Sequence, residues 1–595
     1  MPLKKEQFVI VKNNLALELD VDDSVGRSVP INMNLSETGF LAKDTGCSLH
    51  GATETTEAHS IFNFKKKSGT SYLIRALGQV LQKYNSSTAL WEDITSGTVT
   101  MTVASPAVVT QVAHGLKSGS MIKFSTTGAL PTGVTAGTTY YVISAGLTAD
   151  AFEFSTTLGG SAVNSSGTQS GVHTITRLYT ADAKFGYVVY DDNLYGGNAV
   201  DNFFKWTGTA FTEYDTLPKG NNFEVFEDKL FVSGVIAEPL TLYYSNTGVP
   251  TTFTGTDILK PLGTDSITGQ KNYYGNLIIF KQNTIWKLTF VYDSITSLYI
   301  PKLELQSGNY GACSRLAITW VENDIWFFSG REVRSIGFKD QQTGVLGVNQ
   351  SVISENIKDT LYTISTANYG VIKTFYNNRK FYLSVPLGST VNDTIFVCHL
   401  LYKNNWTKYN GRIKASASDF VAVDNVIYAT KSVTPFGVIK WDSTLLNDNS
   451  VAISSEVFFK KVEDKDFNKF NIYRYIDLMF KNLQGKVTIT IKQDANDLRT
   501  SKTNTFYVGQ GLEDELGAIG ETDVGELLVA DSFGQTVESS PFLKNRISFL
   551  SKAQTLTLGL SNAVADETFT ICEYALMGTK EPRREFNPGA IISVG

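Results

Sequence analysis

Hydrophobic and polar positions alternate along most of this chain, and the alternation is punctuated by six short apolar runs, each behind a tight acidic or Asn/Gly turn. They are Asp192-Asn193-Leu194-Tyr195, Asp228-Lys229-Leu230-Phe231, Gly275-Asn276-Leu277-Ile278, Asn323-Asp324-Ile325-Trp326, Asn378-Arg379-Lys380-Phe381-Tyr382 and Asp424-Asn425-Val426-Ile427-Tyr428. The steps between Leu194, Leu230, Leu277, Ile325, Phe381 and Val426 are 36, 47, 48, 56 and 45 residues. One four-stranded blade per repeat fits that period, which predicts a β-propeller. The turn residues tolerate the left-handed backbone a tight hairpin needs, and the run after each turn predicts a buried strand.

Other marks keep the same period. Trp206, Trp286, Trp406 and Trp441 follow turns where an outer blade strand would pack an indole against its neighbour. Residues 71–93, with Leu73, Leu77, Leu81 and Trp91, predict a further copy, giving six or seven blades over residues 61–95 and 178–445. A pair of β-sandwiches with irregular hairpins is the alternative architecture.

Three further regions flank or interrupt the repeats. Residues 96–177 form an island with five charged side chains from 101 onward (Lys117, Lys123, Asp150, Glu153 and Arg177) in a background of Thr, Ser, Gly, Ala and Val. Its alternating Met121–Ser125 and Tyr140–Ile143 predict strands, so the island is expected to be a small β-barrel inserted after the first blade. Residues 451–595 predict a β-sandwich, in which Ile472, Arg474, Ile476 and Leu478 alternate with Tyr473, Tyr475, Asp477 and Met479. Residues 1–60 read as an extended polar segment, expected to order only against a partner and to be dispensable for the propeller's own stability.

Composition supports the all-β reading. The 595 residues hold 49 Gly, 27 Tyr and 36 Phe, while long periodic Ala/Leu/Glu/Lys stretches are missing. A formal net charge of −6 argues against a protein that grips phosphates with a basic field. Cys47, Cys313, Cys398 and Cys572 lie far apart and predict free thiols from a reducing compartment. No signal peptide or apolar span of membrane length is expected.

Candidate chemistry is sparse. Sialidase-type propellers carry Ser-x-Asp-x-Gly-x-x-Trp boxes, and the nearest string, Ser245-Asn246-Thr247-Gly248, lacks both the Asp and the Trp. His50, His59, His114, His173 and His399 show no metal-ligand spacing, and strand alternation sends Cys398 and His399 to opposite faces. The acidic loop 511–526, with Glu513, Asp514 and Glu515, lacks the spacing of a calcium loop. Lys65-Lys66-Lys67 and Lys460-Lys461 have no interleaved aromatics and read as solvated surface. The expectation is therefore a non-enzyme with no catalytic residues, cofactor or metal.

Two resemblances sharpen this. His114-Gly115-Leu116, Phe124-Ser125-Thr126-Thr127-Gly128, Leu130-Pro131-Thr132-Gly133, Thr139-Tyr140-Tyr141-Val142-Ile143 and Phe152-Glu153-Phe154-Ser155 resemble a small module that recurs as an insertion in bacteriophage structural proteins. That module is named for its likeness to a half-domain of ubiquitin-activating enzyme. Ile31-Asn32-Met33-Asn34-Leu35-Ser36-Glu37 with Asp44-Thr45-Gly46 resembles the N-terminal signature of the phage stabilisation and tail-nozzle proteins. Phe226–Gly234, Leu242–Pro250 and Trp326–Val333 are similar to that family's blade motif.

The resemblance implies a virion structural protein, a tail nozzle or tail-tube component made in the host cytoplasm. It implies a ring of six copies below the portal and adaptor, with other tail proteins as neighbours, holding back and then passing genomic DNA through a shared lumen. Two rivals stand beside it. One is a receptor- or glycan-binding propeller on the virion, with Tyr140, Tyr141 and Phe152 of the island as the contact. The other is a polysaccharide-degrading tail enzyme using paired carboxylates.

Overall fold

The computed structural model describes residues 7–12, 29–36, 38–255, 258–295, 297–340, 345–349, 351–402, 405–460, 462–463, 471–494, 502–509, 542–553 and 555–580. The protein is all-β, a seven-bladed propeller carrying an inserted barrel and a C-terminal sandwich.

Each of the first six blades is a four-stranded antiparallel meander. Blade 1 runs from Ala58–Lys65 to Leu90–Asp93, blade 2 from Gly186–Tyr190 to Phe211–Tyr214, and blade 3 from Asn222–Phe226 to Ile258–Leu259. Blade 4 runs from Ile267–Tyr273 to Leu298–Ser307, blade 5 from Ile318–Val321 to Val345–Val348, and blade 6 from Lys373–Asn377 to Trp406–Tyr409. The predicted turns join first and second strands. Asp191 and Asp192, Glu227 and Asp228, Asn378 and Arg379, and Asp424 and Asn425 all have φ between 44° and 66°. Paired left-handed residues make the turn whose twist matches the flanking strands.

Blade 7 (Ala417–Val423, Val426–Lys431, Val438–Trp441) takes its outer strand from the other end of the chain. Cys47–Leu49 pairs antiparallel with it, Ile439 opposite Leu49 and Trp441 opposite Cys47. The first strand of blade 7 packs on that of blade 1, closing the circle. Apolar clusters fill the spaces between blades, such as Phe226, Phe231, Leu277, Ile279 and Leu288 between blades 3 and 4. Leu230, Ile325 and Trp326 are all buried.

The insert is a curled sheet. Ala151–Phe152 lies at one end of its strand order and Phe154–Ser155 at the other, with Glu153 alone between them. One kinked segment therefore pairs with both edges and closes the barrel around Ile122, Phe124, Tyr140, Val142, Phe152 and Phe154.

The sandwich faces Asn471–Gln484, Thr568–Lys580 and Phe542–Ala553 against Lys486–Asp494 and Thr555–Asn562. Its core, including Tyr473, Phe480 and Ile489, is continuous with Trp326, Phe381 and Trp406 of blades 5 and 6. The alternation expected through Ile472 breaks at a bulge between Tyr473 and Tyr475. The extra residue turns Tyr473 inward with Ile476 and leaves Ile472 half-buried.

The reading of residues 1–60 as a free segment needs correction. Gln7–Lys12 pairs with Thr568–Lys580, Met33–Leu35 and Leu41–Lys43 extend the same sheet, and Cys47–Leu49 completes blade 7. Its described strands join cores built by residues hundreds of positions away in the chain, a pairing that the local pattern does not show.

Candidate functional site

Among the described residues, three groups of buried charges lie where parts of the molecule meet, and each is a joint rather than an open pocket. The first is the propeller axis. Arg315, in the turn before blade 5, donates to the carbonyl oxygens of Lys184 (3.2 Å) and Phe185 (3.0 Å) at the start of blade 2. Blades 2 and 5 are not neighbours, so this guanidinium spans the ring. Beside it Lys373 of blade 6 pairs with Asp419 of blade 7 at 2.6 Å, and Asp419 accepts the Ile61 amide of blade 1 at 3.1 Å. Ser60 and Tyr187 share a hydroxyl contact at 2.8 Å. Burial pushes the Lys184 ammonium down, partly countered by Asp419, and pushes the Glu57 carboxyl up. A guanidinium bonded across the ring braces blades 2 and 5 against each other.

The second joint locks the N-terminal strand. Arg412 holds Asp448 in a two-pronged pair (2.8 and 2.7 Å) and also donates to Asp44 (2.7 Å) and to the Thr45 carbonyl (2.8 Å). Lys414 adds a second cation to Asp44 at 3.0 Å, and the Tyr409 hydroxyl donates to its other oxygen at 3.2 Å. Burial works against the Asp44 carboxylate, yet Lys414 and Arg412 hold its pKa below the usual 3.8. Burial pushes the Lys414 ammonium down, while Arg412 is held firmly charged by Asp448 and Asp44. Gly46 sits in the same joint, where an added Cβ would meet the Asn447 carbonyl oxygen at 1.8 Å. The Asp44-Thr45-Gly46 string thus anchors the strand that completes blade 7.

The third joint fixes the insert to blade 2. Arg177 of the barrel lies 3.0 Å from Glu213 on the outer strand of blade 2, both nearly inaccessible, and stacks over the Phe211 ring at 4.6 Å. Its other nitrogen donates to the His114 carbonyl at 2.9 Å, and Ser120 donates to the second Glu213 oxygen. Glu213 in turn donates its amide to the Gly115 carbonyl at 3.0 Å. Gly115 has φ +62°, and a Cβ there would stand 2.3 Å from the Phe211 oxygen, so the His-Gly-Leu string is the barrel's docking edge.

The sequence candidates fall elsewhere. Ser245 is buried and accepts the Leu230 amide at 2.9 Å, which makes it a blade-turn fastener. His59 bonds the Gly78 carbonyl, His173 contacts Thr126 and Gln169, and His50 lies against Tyr84, Trp91 and Tyr428. Burial lowers the His50 pKa to about 4. Cys398 and His399 are both buried, with Cys398 in the core shared with the sandwich. Lys67 pairs at the surface with Asp191. Among the described residues no group of His, Cys, Asp or Glu could hold a metal ion, and no helix is long and apolar enough to cross a membrane. The acidic loop 511–526 and Lys461 lie outside the described residues.

The rival glycan-binding reading takes Tyr140, Tyr141 and Phe152 as exposed, and two of the three are not. Tyr140 and Phe152 are core residues of the barrel and Tyr141 is half-buried, because closing so small a barrel consumes its aromatics. Of the joint residues, Arg177 was visible as one of few charges in the island, and Asp44 within a motif. Arg315, Arg412 and Glu213 carry no sequence signal, since their partners are distant in the chain.

No family model and no curated protein sequence matches this chain. It is similar in structure to an exo-β-1,3-galactanase from Phanerochaete chrysosporium, at 8% identity over 66% of this chain and 95% of that one, with a TM-score of 0.20. It is also similar to the N-terminal domain of Nup159 (7% identity, 55% and 96% covered, TM-score 0.27). A candidate 6-phosphogluconolactonase from Bacteroides uniformis is a third (11% identity, 54% and 95% covered, TM-score 0.32). The seven blades rest on the strand pairing described above and not on these likenesses.

Proposed function

We propose that the protein is a structural component of a tailed-phage virion, a nozzle or tail-tube subunit that assembles as a closed ring, most simply of six copies. The lumen between copies holds back and then passes DNA. The portal and adaptor and the other tail proteins are its neighbours, and assembly takes place in the host cytoplasm. The observation carrying this reading is that propeller and sandwich share one core and that buried ion pairs tie the N-terminal strand and the insert to the blades, which favours a stiff body. Stiffness suits a part that bears pressure. Arg315 across the axis supports placing the conduit between copies and not through the blades. A mildly acidic chain suits passage, since phosphates slide past without capture.

The role requires no cofactor, metal or catalytic group. Neither the glycan-binding nor the depolymerase reading gains a specific observation, since Tyr140 and Phe152 are not available as a contact surface. Negative-stain microscopy of the purified chain tests the proposal. Closed rings of fixed copy number with an open lumen are expected, and a population of single particles without rings overturns it.

A further inference from the structure

Blade 4 differs from the others in its outer hairpin. Its last two strands, Ile285–Asp293 and Leu298–Ser307, are nine and ten residues long, whereas the matching strands of blade 2 have four each. Its second strand pairs only with residues 285–288, so from Thr289 outward the hairpin is a two-stranded ribbon standing beyond the blade. A lone ribbon is marginal in water and needs a cover.

One face of the ribbon is apolar throughout, and the other carries an apolar pair between Thr289–Lys302 and Asp293–Leu298. Leu288 opposite Leu303, Phe290 opposite Pro301 and Tyr292 opposite Tyr299 share one face. That face begins in the core between blades 3 and 4, at Leu288 with Phe290 and Leu303 packed against it, and ends in water. Val291 opposite Ile300 is on the other. Val291, Tyr292, Ile295, Leu298, Tyr299 and Ile300 are between 45% and 91% exposed. From Thr289 to Ile300 the only charge is Asp293. Side chains this large and this exposed present an area on the order of the ~800 Å² each partner gives to a stable interface. A monomer rarely leaves such a patch uncovered.

We infer that this arm is an assembly device that inserts into a second copy of the same chain, and this rests on the ring assembly proposed above. Two faces call for a groove that encloses the ribbon rather than a flat patch. A bilayer fits less well. Lys287 and Lys302 both pair with Glu304, at 2.6 and 2.8 Å, Lys229 lies over the Phe290 ring at 6.0 Å, and Asp293 adds a negative charge to the ribbon. Surface-binding segments instead offer free lysines and arginines to anionic lipid. An arm on one blade meeting a groove elsewhere on the neighbour makes a head-to-tail contact, the kind that closes rings.

The test uses the full chain, examined by light scattering across a concentration series. Three versions are compared: wild type, Tyr292→Asp/Tyr299→Asp, and a chain with residues 292–299 replaced by Asn-Gly, which keeps Phe290 in the core between blades 3 and 4. Both variants should retain the parental melting temperature and weaken self-association roughly 30-fold or more, as loss of interface anchors does. If the double variant fails to fold, the shortened hairpin decides. Oligomers that survive in the folded variants overturn the inference and leave the ring reading intact. Arm-dependent dimers without rings uphold the inference and remove the ring. A monomeric wild type, or one that binds phosphatidylglycerol vesicles through the arm without self-associating, overturns the self-docking assignment.

Discussion

The latch around Asp44 and the seam around Glu213 use the same chemistry, a buried carboxylate held by a guanidinium, for opposite ends. The latch joins residues far apart in sequence (Cys47 and Asp448, 401 positions apart, share a contact) and holds the blades, the N-terminal strand and the sandwich together. The seam holds a barrel that has its own apolar core and leaves the propeller through neighbouring strand ends, where the Arg177 amide bonds the Thr95 carbonyl. Breaking one opens the ring, while breaking the other frees a passenger. A buried ion pair therefore has no fixed worth. Its effect depends on how much structure lies on each side of it.

Six variants bear on that contrast. Ile325→Asp sets the scale of global failure, because it puts an unpaired charge among Phe280, Phe327 and Ile336, and no folded protein is expected. A parental melting curve for that variant removes the assigned blade register. Asp44→Ala comes next. It leaves Arg412 and Lys414 short of a buried partner and should destabilise the propeller by about 3–5 kcal/mol, measured by urea unfolding. Deleting residues 1–45 should act in the same direction, contrary to the expectation from sequence. A change below about 1 kcal/mol for Asp44→Ala would make the latch no stronger than the seam.

Arg177→Met should cost about 1–3 kcal/mol locally, since Glu213 keeps Ser120 and Asn202. Limited proteolysis should then release the barrel near residues 95 and 178, with the main unfolding transition unmoved. Joining residue 95 to 178 through a short linker in a Glu213→Gln background should likewise fold. Aggregation of that chain would show the barrel to be part of the main core.

The smallest effect concerns pH. Asp44 has its pKa held below 3.8 in the fold, so its contribution is fully present above that value and is lost as pH falls through the folded pKa. The part of the acid transition that Asp44→Asn removes should therefore appear only below about pH 4. A difference between parent and Asp44→Asn that already shrinks from pH 7 to 5 would contradict this.

The propeller was legible because its hairpin turns are local. Asp191-Asp192 and Asp424-Asn425 specify left-handed turns within a few residues, and the strands behind them are buried as expected. Blade 7's outer strand was not legible, since Cys47–Leu49 is three residues whose partner lies at the far end of the repeats. The bulge beside Arg474 also escaped, because an alternating pattern cannot show where one residue is left unpaired. The joints failed for the first reason. Arg315, Arg412 and Glu213 are ordinary charges until the fold brings their partners to them.

The strand Cys47–Leu49 is made before any blade and finds its place only after blade 7 exists. At roughly 5–20 residues per second, a ribosome takes roughly 20–80 s to lay down the ~400 residues between them. For that interval the forming propeller is an open arc with a bare edge on Val438–Trp441 or none yet built. Ring closure is thus a late step that depends on the whole blade set being present, and a truncated chain has no way to complete it. The same early strand, left waiting, is the element most open to pairing with the wrong blade of a neighbouring nascent chain.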